Sequence, residues 1–161
     1  MQMGFTLLEL ILVVAVLAAL LTLAGPAFDR WQAKKDFSNS HQLLAQELSQ
    51  LRMLSSMRNT TTRMNLTQVG DVYTINTFTA ALPVTTCNDS GTWVSEKSFT
   101  MSINDAHELI GTAVNTHICF YRDGGASGGT FTLQQKGGTT DINPVNLTII
   151  LATGAIDVTS P

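Results

Sequence analysis

Residues 4–28 read GFTLLELILVVAVLAALLTLAGPAF, and this stretch decides how the chain is organised. Between Phe5 and Phe28, 19 of 24 positions are Ala, Val, Ile, Leu or Phe, and Glu9 is the one ionisable residue. A helix of about twenty apolar residues is long enough to cross the ~30 Å hydrocarbon layer of a bilayer. The sequence therefore predicts a single membrane-spanning helix over 5–28, because no second run of that length follows.

A cleaved secretory signal is the alternative interpretation of this run, with Leu23-Ala24-Gly25 as its small-residue cleavage site. Three features argue against it. The apolar core is longer than that of a signal, Met1-Gln2-Met3 carries no Lys or Arg, and Glu9 lies inside the segment. We therefore favour a retained helix.

Glu9 needs its own explanation, because a carboxylate inside a membrane span costs about 2.5–3.5 kcal/mol unless it is paired or lies near the interface. Glu9 is close to the start of the run, so its side chain could simply extend to the lipid headgroups. The residues around it suggest a specific role. GFTLLELILVV, residues 4–14, resembles the prepilin motif of type IV pilins and type II secretion pseudopilins.

That resemblance implies a processing site and a set of partners. A prepilin peptidase would cut between Gly4 and Phe5, so that residues 1–4 are a leader and Phe5 becomes the N-methylated first residue. Glu9 would pair with the positively charged N-terminus of a neighbouring subunit and so set the subunit register. The other implied partners are further pilins or pseudopilins, the inner membrane and the assembly platform.

The sequence departs from this family in its first residues. Prepilin leaders usually carry Lys or Arg, and residues 1–3 have none, so either the leader is unusually short or the true start lies upstream. Arg30, Lys34 and Lys35 follow the span, and the positive-inside rule alone would place them in the cytoplasm. The prepilin motif requires the opposite: a single-pass inner-membrane protein with a periplasmic C-terminal domain, later taken into a pilus or pseudopilus.

Residues 29–60 continue the helix in amphipathic form. Pro26 removes a backbone donor, so we expect a kink near it. Apolar residues recur at helical spacing on one face, at Phe37, Leu44, Leu48 and Leu51, widened by Leu43, Leu54 and Met57. The solvent side is predicted to carry Gln46, Glu47, Gln50 and Arg52.

Trp31, Lys34 and Lys35 lie just beyond the apolar run, where an aromatic and basic cluster is typical of a membrane interface. The basic residues, with Arg30, could contact lipid phosphates or acidic residues of adjacent subunits. Both interpretations stay open at this stage.

Residues 61–161 are predicted to form an antiparallel β domain, because β-branched residues, alternation and glycine turns replace the helical pattern. We expect about seven strands: 63–68 and 72–78 as a hairpin, 98–103, 117–122, a strand around 131–133, one over 147–151, and one at 156–158. An exposed loop accounts for His107-Glu108 as well as an acid–base pair does. The fold class is thus α+β, with a long N-terminal helix packed on an antiparallel sheet domain.

The glycine-rich run 119–131 does not have the Gly-Lys-Ser/Thr of a phosphate-binding loop, so we interpret it as a connection between strands. It resembles the corresponding segment of the GspH/FimT pseudopilin family in Phe120, Asp123-Gly124 and Ser127-Gly128-Gly129, and Thr153-Gly154 resembles that family's late turn. Residues 70–115 match no motif.

Charge argues against direct binding of nucleic acid. Residues 1–63 hold six bases and four acids, net +2, whereas residues 64–161 hold three bases and eight acids, net −5. Some FimT-like proteins that are linked to DNA uptake carry a basic turn near the C-terminus. This chain has Gly154-Ala155-Ile156-Asp157 there instead.

Cys87 and Cys119 are the only cysteines, and His41, His107 and His117 show no metal-ligand spacing, so no metal and no cofactor is expected. We predict a disulfide, which in the periplasm would stabilise the fold by roughly 3–4 kcal/mol. Two buried free thiols are the alternative.

No catalytic constellation is present in the sequence, so an enzyme is not expected. The leading hypothesis is a structural minor pilin. Pro26 and the cysteine pair favour a type IV pilus, and the GspH-like motifs favour a type II secretion pseudopilin. An adhesion or DNA-uptake module displayed on a pilus is the third possibility.

Overall fold

The computed structural model describes residues 7–70, 72–82, 84, 86–87, 92–102, 107–114, 116–136 and 142–160, without the side chains of 22–27 and 102. Over these ranges the chain forms one helix and eight strands. They are α1 (Leu7–Met57), β1 (Thr62–Val69), β2 (Val72–Ala80), β3 (Trp93–Ser102), β4 (His107–Ile110), β5 (His117–Phe120), β6 (Gly129–Gln135), β7 (Val145–Ile149) and β8 (Ile156–Thr159). The predicted α+β class is confirmed.

The eight strands form two four-stranded antiparallel sheets, ordered β3-β2-β1-β5 and β4-β6-β7-β8. β1 and β2 make the predicted hairpin, in which Val69 pairs with Val72 and Gly70 turns the chain at a φ of 63°. The two sheets are joined by a buried hydrogen bond, because the backbone N–H of Leu109 on β4 donates to the Tyr73 hydroxyl on β2 at 3.1 Å.

The chain divides into two compact units, residues 1–35 and residues 36–161. In the second unit, one face of α1 and the inner faces of both sheets share a single apolar core. The helical face is the one predicted from spacing, since its four principal residues are all buried: Phe37, Leu44, Leu48 and Leu51. Helix periodicity and strand alternation therefore converge on the same core.

Glu47 contradicts the predicted solvent side of the helix. It is 5% exposed, because it follows Leu44 by three residues and precedes Leu51 by four, which places it inside the apolar stripe. The prediction that Met57 belongs to the apolar face is also wrong, because Met57 is the last residue of α1 and is exposed. In both cases the prediction followed the polarity of the side chain, whereas burial depends on the position of the residue in the helix.

The strand predictions also needed three changes. His107-Glu108 is not a loop but the start of β4, where His107 and Leu109 alternate inward as buried residues. β3 begins at Trp93, five residues before its predicted start, although few of its side chains are buried. Leu151 lies in a turn after β7 and is exposed.

Candidate functional site

The N-terminal part of α1 is an apolar helix whose described surface faces solvent. Every residue from Leu7 to Leu21 is exposed, although nearly all of them are hydrophobic. One side carries a shallow apolar groove lined by Leu8, Ile11, Leu12, Ala15, Val16 and Ala19, which recur at the three- and four-residue spacing of a single helix face. An exposed apolar surface of this extent marks a region that is covered by a membrane or by a partner.

Glu9 lies in the first turn of α1, on this exposed helix. Gly4 and Phe5 are outside the described residues, so the cleavage and methylation sites stay predictions. α1 is helical without interruption through position 26, and the kink expected at Pro26 also stays a prediction. Among the residues whose side chains are described, we find no helix with both the length and the apolarity needed to cross a membrane.

An aromatic and basic cluster begins about half a turn beyond position 26 and extends over the next two turns of α1. The Phe28 and Trp31 rings are 5.7 Å apart, and the Lys35 Nζ lies 5.3 Å from the centroid of the Trp31 ring. Lys34 is exposed beside them. We call Phe28, Trp31, Lys34 and Lys35 the aromatic-basic cluster.

The disulfide links the segment after β2 to β5. Cys87 and Cys119 are bonded with their Cα atoms 5.7 Å apart, so neither of the free thiols that the sequence left open is found. Cys119 is fully buried and pairs in register with Arg63 on β1. The Arg63 guanidinium in turn lies 4.2 Å from the centroid of the Trp93 ring on β3. The disulfide therefore links the connection between β2 and β3 to the face of the first sheet that also carries Arg63.

The glycine-rich motifs meet in space. The Tyr121 N–H donates to the Gly125 carbonyl and the Ala126 N–H donates to the Leu151 carbonyl, which holds the loop against the late turn. A Cβ on Gly154 would lie 2.7 Å from the Gly124 carbonyl oxygen, so only glycine fits there. The glycine-rich loop and the late turn, which carried the sequence resemblance, thus pack against each other. This agrees with the interpretation of the loop as a connection between strands.

Sequence reasoning missed a charged groove of about 270 Å³ between α1 and the first sheet. Two ion pairs span it: Lys97 with Glu47, and Arg58 with Glu96 at 2.5 Å. The nearby Thr79 hydroxyl and the Arg58 guanidinium lower the pKa of the Glu96 carboxyl. The ion pairs connect the helical segment to the first sheet. Because the four charges balance, the groove presents no net charge to a ligand.

His107 is the other buried polar group that the sequence did not indicate. It is 2% exposed and its ring centroid lies 5.1 Å from that of Phe37. Burial lowers the pKa of this imidazole, and the charge of Asp36 partly offsets the effect. Over the described ranges, no three His, Cys, Asp or Glu side chains lie close enough to hold a metal ion.

Comparison with known proteins gives a match in structure and none in sequence. No protein-family model matches the chain, and no curated protein matches it. The type IV minor pilin FimU of Pseudomonas aeruginosa is similar with a TM-score of 0.57 and 17% identity, over 80% of this chain and 94% of FimU. The minor pseudopilin EpsH from the Type 2 Secretion System of Vibrio cholerae is similar with a TM-score of 0.56 and 14% identity, over 78% of this chain and 98% of EpsH.

A second crystal structure of EpsH gives a TM-score of 0.54 at 12% identity, over 80% of this chain and 98% of that one. The chain therefore has the fold of the minor pilins and minor pseudopilins, a long N-terminal helix followed by two antiparallel sheets. The fold expected from the sequence resemblance is confirmed.

Proposed function

We propose that this protein is a structural minor subunit of a type IV pilus, without enzymatic activity. The exposed apolar helix from Leu7 to Leu21 is the observation that carries the proposal, because a surface of this kind is stable only when a bilayer or other helices cover it. Residues 5–28 would anchor the protein in the inner membrane before assembly. The same helix would then pack against other subunits in the filament.

Processing precedes assembly in this proposal. A prepilin peptidase cuts between Gly4 and Phe5, and Phe5 is N-methylated. The Glu9 carboxylate then pairs with the N-terminus of a neighbouring subunit. Support for this pairing comes from the sequence around Glu9 and from its place on an exposed apolar helix, which in this proposal packs against other helices in a water-poor filament core.

Two variants separate processing from assembly. Gly4→Val should leave the chain uncleaved, which mass spectrometry detects as retention of residues 1–4. Glu9→Gln should be cleaved and methylated normally but should be strongly depleted from sheared filaments. Leu10→Ala is the matched control, because it truncates a neighbouring exposed residue on the same helix without removing a charge. Normal incorporation of Glu9→Gln would contradict the pairing.

A pseudopilin of a type II secretion system is the second candidate, and the similarity to EpsH favours it. The two candidates differ in which filament contains the subunit. Deletion of the gene should abolish surface pili in the first case and should block export of secreted enzymes in the second. The content of the neighbouring genes provides an independent test.

A further inference from the structure

The aromatic-basic cluster is organised as one exposed surface. Phe28 and Trp31 are 59% and 56% exposed, and the Trp31 ring lies close to both the Phe28 ring and the Lys35 ammonium group. Lys34 and Lys35 follow Trp31 by three and four residues, so both project from the same side of the helix as the indole. The surface therefore combines two partly apolar rings with two ammonium groups.

The local charge is unbalanced on this side. Asp29 and Asp36 are the acids that flank the cluster, and at about 100° per residue they lie roughly 200° and 140° around the helix from Trp31. Neither lies on the side of the helix that carries the indole and the two lysines. Arg30 adds a third base, about 100° away from the indole.

The position of the cluster along the helix matches the headgroup layer of a membrane. At 1.5 Å per residue, Trp31 lies about 4.5 Å and Lys35 about 10.5 Å beyond Phe28, where the apolar run ends. The polar headgroup region adds about 5–7 Å to each side of the hydrocarbon layer. Trp31 therefore lies within the headgroup layer. The Cα atoms of the two lysines lie a few ångströms beyond its outer edge, and lysine side chains are long enough to extend back to the phosphates.

We propose that the aromatic-basic cluster binds the phosphate groups of anionic phospholipids while the protein is anchored in the membrane; this inference rests on the proposed function. Lipid phosphates are favoured over an acidic surface of a neighbouring subunit, because the indole ring of Trp31, which is apolar apart from its N–H, prefers the boundary between hydrocarbon and headgroups. The basic residues add attraction for a negatively charged surface, about fivefold each. The anchor thereby recruits phosphatidylglycerol-like lipids around its outer end.

Selective quenching of Trp31 tests the proposal in the full-length protein. Trp93 is the other tryptophan, so Trp93→Phe leaves Trp31 as the one emitter, and the aromatic ring beside Arg63 is kept. The protein is reconstituted in phosphatidylcholine vesicles in which roughly one lipid in five is phosphatidylglycerol. Two preparations contain the same amount of brominated lipid. In one the phosphatidylglycerol is brominated, and in the other an equal amount of the phosphatidylcholine is brominated.

We expect brominated phosphatidylglycerol to quench Trp31 at least about twofold more than brominated phosphatidylcholine, and we expect about 0.5 M salt to reduce this ratio towards one. Lys34→Gln with Lys35→Gln should also reduce it. Arg52→Gln with Arg122→Gln, which removes two exposed bases from the second unit, should not. If Trp93→Phe does not fold, the difference between the parent and Trp31→Phe isolates the same signal.

The outcomes distinguish this inference from the proposed function. Equal quenching by both lipids in a protein that co-floats with vesicles overturns the lipid preference and leaves the anchor intact. Failure to co-float with any vesicle overturns the anchor itself. A Trp31 emission shift that depends on protein concentration and not on lipid charge assigns the surface to a second copy of the chain and overturns the inference.

Discussion

Lys97 on β3 forms an ion pair with Glu47 on α1, and the irregular register of β3 makes this contact possible. Ser95 pairs with Phe78 and Lys97 pairs with Thr77, so Glu96 is an extra residue in the strand. In a regular strand, neighbouring side chains point to opposite faces of the sheet. The bulge removes that alternation, so that Lys97 reaches Glu47 on α1 and Glu96 reaches Arg58 just after the end of α1.

The two partners of the Lys97–Glu47 pair should differ in their effect on stability. Lys97→Met leaves the Glu47 carboxylate buried without its partner and should lower the free energy of unfolding by about 2–3 kcal/mol. Glu47→Met should cost much less, because Lys97 is half exposed and can be hydrated. Urea denaturation of the detergent-solubilised chain measures both.

Arg58→Met is the control for this comparison. Arg58 and Glu96 are both partly exposed, so the loss of this pair should cost less than about 1 kcal/mol. Equal effects of Lys97→Met and Arg58→Met would show that burial of Glu47 adds nothing to its pair.

Stability should fall in mild acid because of His107. Burial lowers the pKa of His107 in the folded state below 6.5, whereas in the unfolded state it stays near that value. As the pH falls below about 6.5, the unfolded chain binds a proton that the folded chain resists, so the free energy of unfolding decreases until the folded pKa is reached. Well above pH 7.5 the histidine is neutral in both states and contributes almost no pH dependence.

His107→Leu should reduce the loss of stability between pH 7.5 and pH 5, as measured by urea denaturation at the two values. The carboxylates that do not interact with His107 contribute equally in both chains, so the difference between the chains isolates the histidine together with its interaction with Asp36. An identical slope for His107→Leu and the parent would contradict the effect of burial.

Removal of the disulfide should lower stability by roughly 3–4 kcal/mol, because the bond closes a loop with a sequence separation of 32 residues. Cys87→Ala with Cys119→Ala tests this without a reducing agent. Mass spectrometry of the parent under non-reducing conditions should find neither thiol open to alkylation. Two alkylatable thiols in the folded protein would contradict the bond.

Two glycines with the same backbone conformation should respond differently to alanine. Gly70 has a φ of +63° and open space around its would-be Cβ, whereas Gly154 has a φ of +58° and the Gly124 carbonyl oxygen 2.7 Å away. Gly70→Ala should cost about 1 kcal/mol, the strain of the left-handed conformation. Gly154→Ala should cost at least about 2 kcal/mol, because a backbone atom must also move. Thermal unfolding of both variants provides the comparison.

The spacing of apolar residues along the chain predicted the helix and its buried face well. Phe37, Leu44, Leu48 and Leu51 could be chosen from spacing alone, because helical periodicity is a property of neighbouring residues. The β1–β2 hairpin was predictable for the same reason, from alternation on either side of Gly70. β4 was missed because a four-residue strand that starts with His and Glu carries almost no local signal.

The candidate site was predictable only in part. The apolar run, Glu9 and the basic residues after it are contiguous in sequence, so their composition could be interpreted directly. Glu47 with Lys97 and His107 with Phe37 are long-range pairs, and their partners come together only when the sheets close on the helix.

The sequence by itself determined that a long apolar helix would precede a helix-packed β domain, because hydrophobic length and periodicity act over a few neighbouring residues. Tertiary structure alone decided that Glu47 and His107 would be buried, that Glu96 would form a bulge, and that the late glycine turn would meet the 121–126 loop. These outcomes depend on which surfaces, distant in sequence, pack against each other. Burial and charge pairing arise from contacts between segments, so they cannot be predicted from one segment alone.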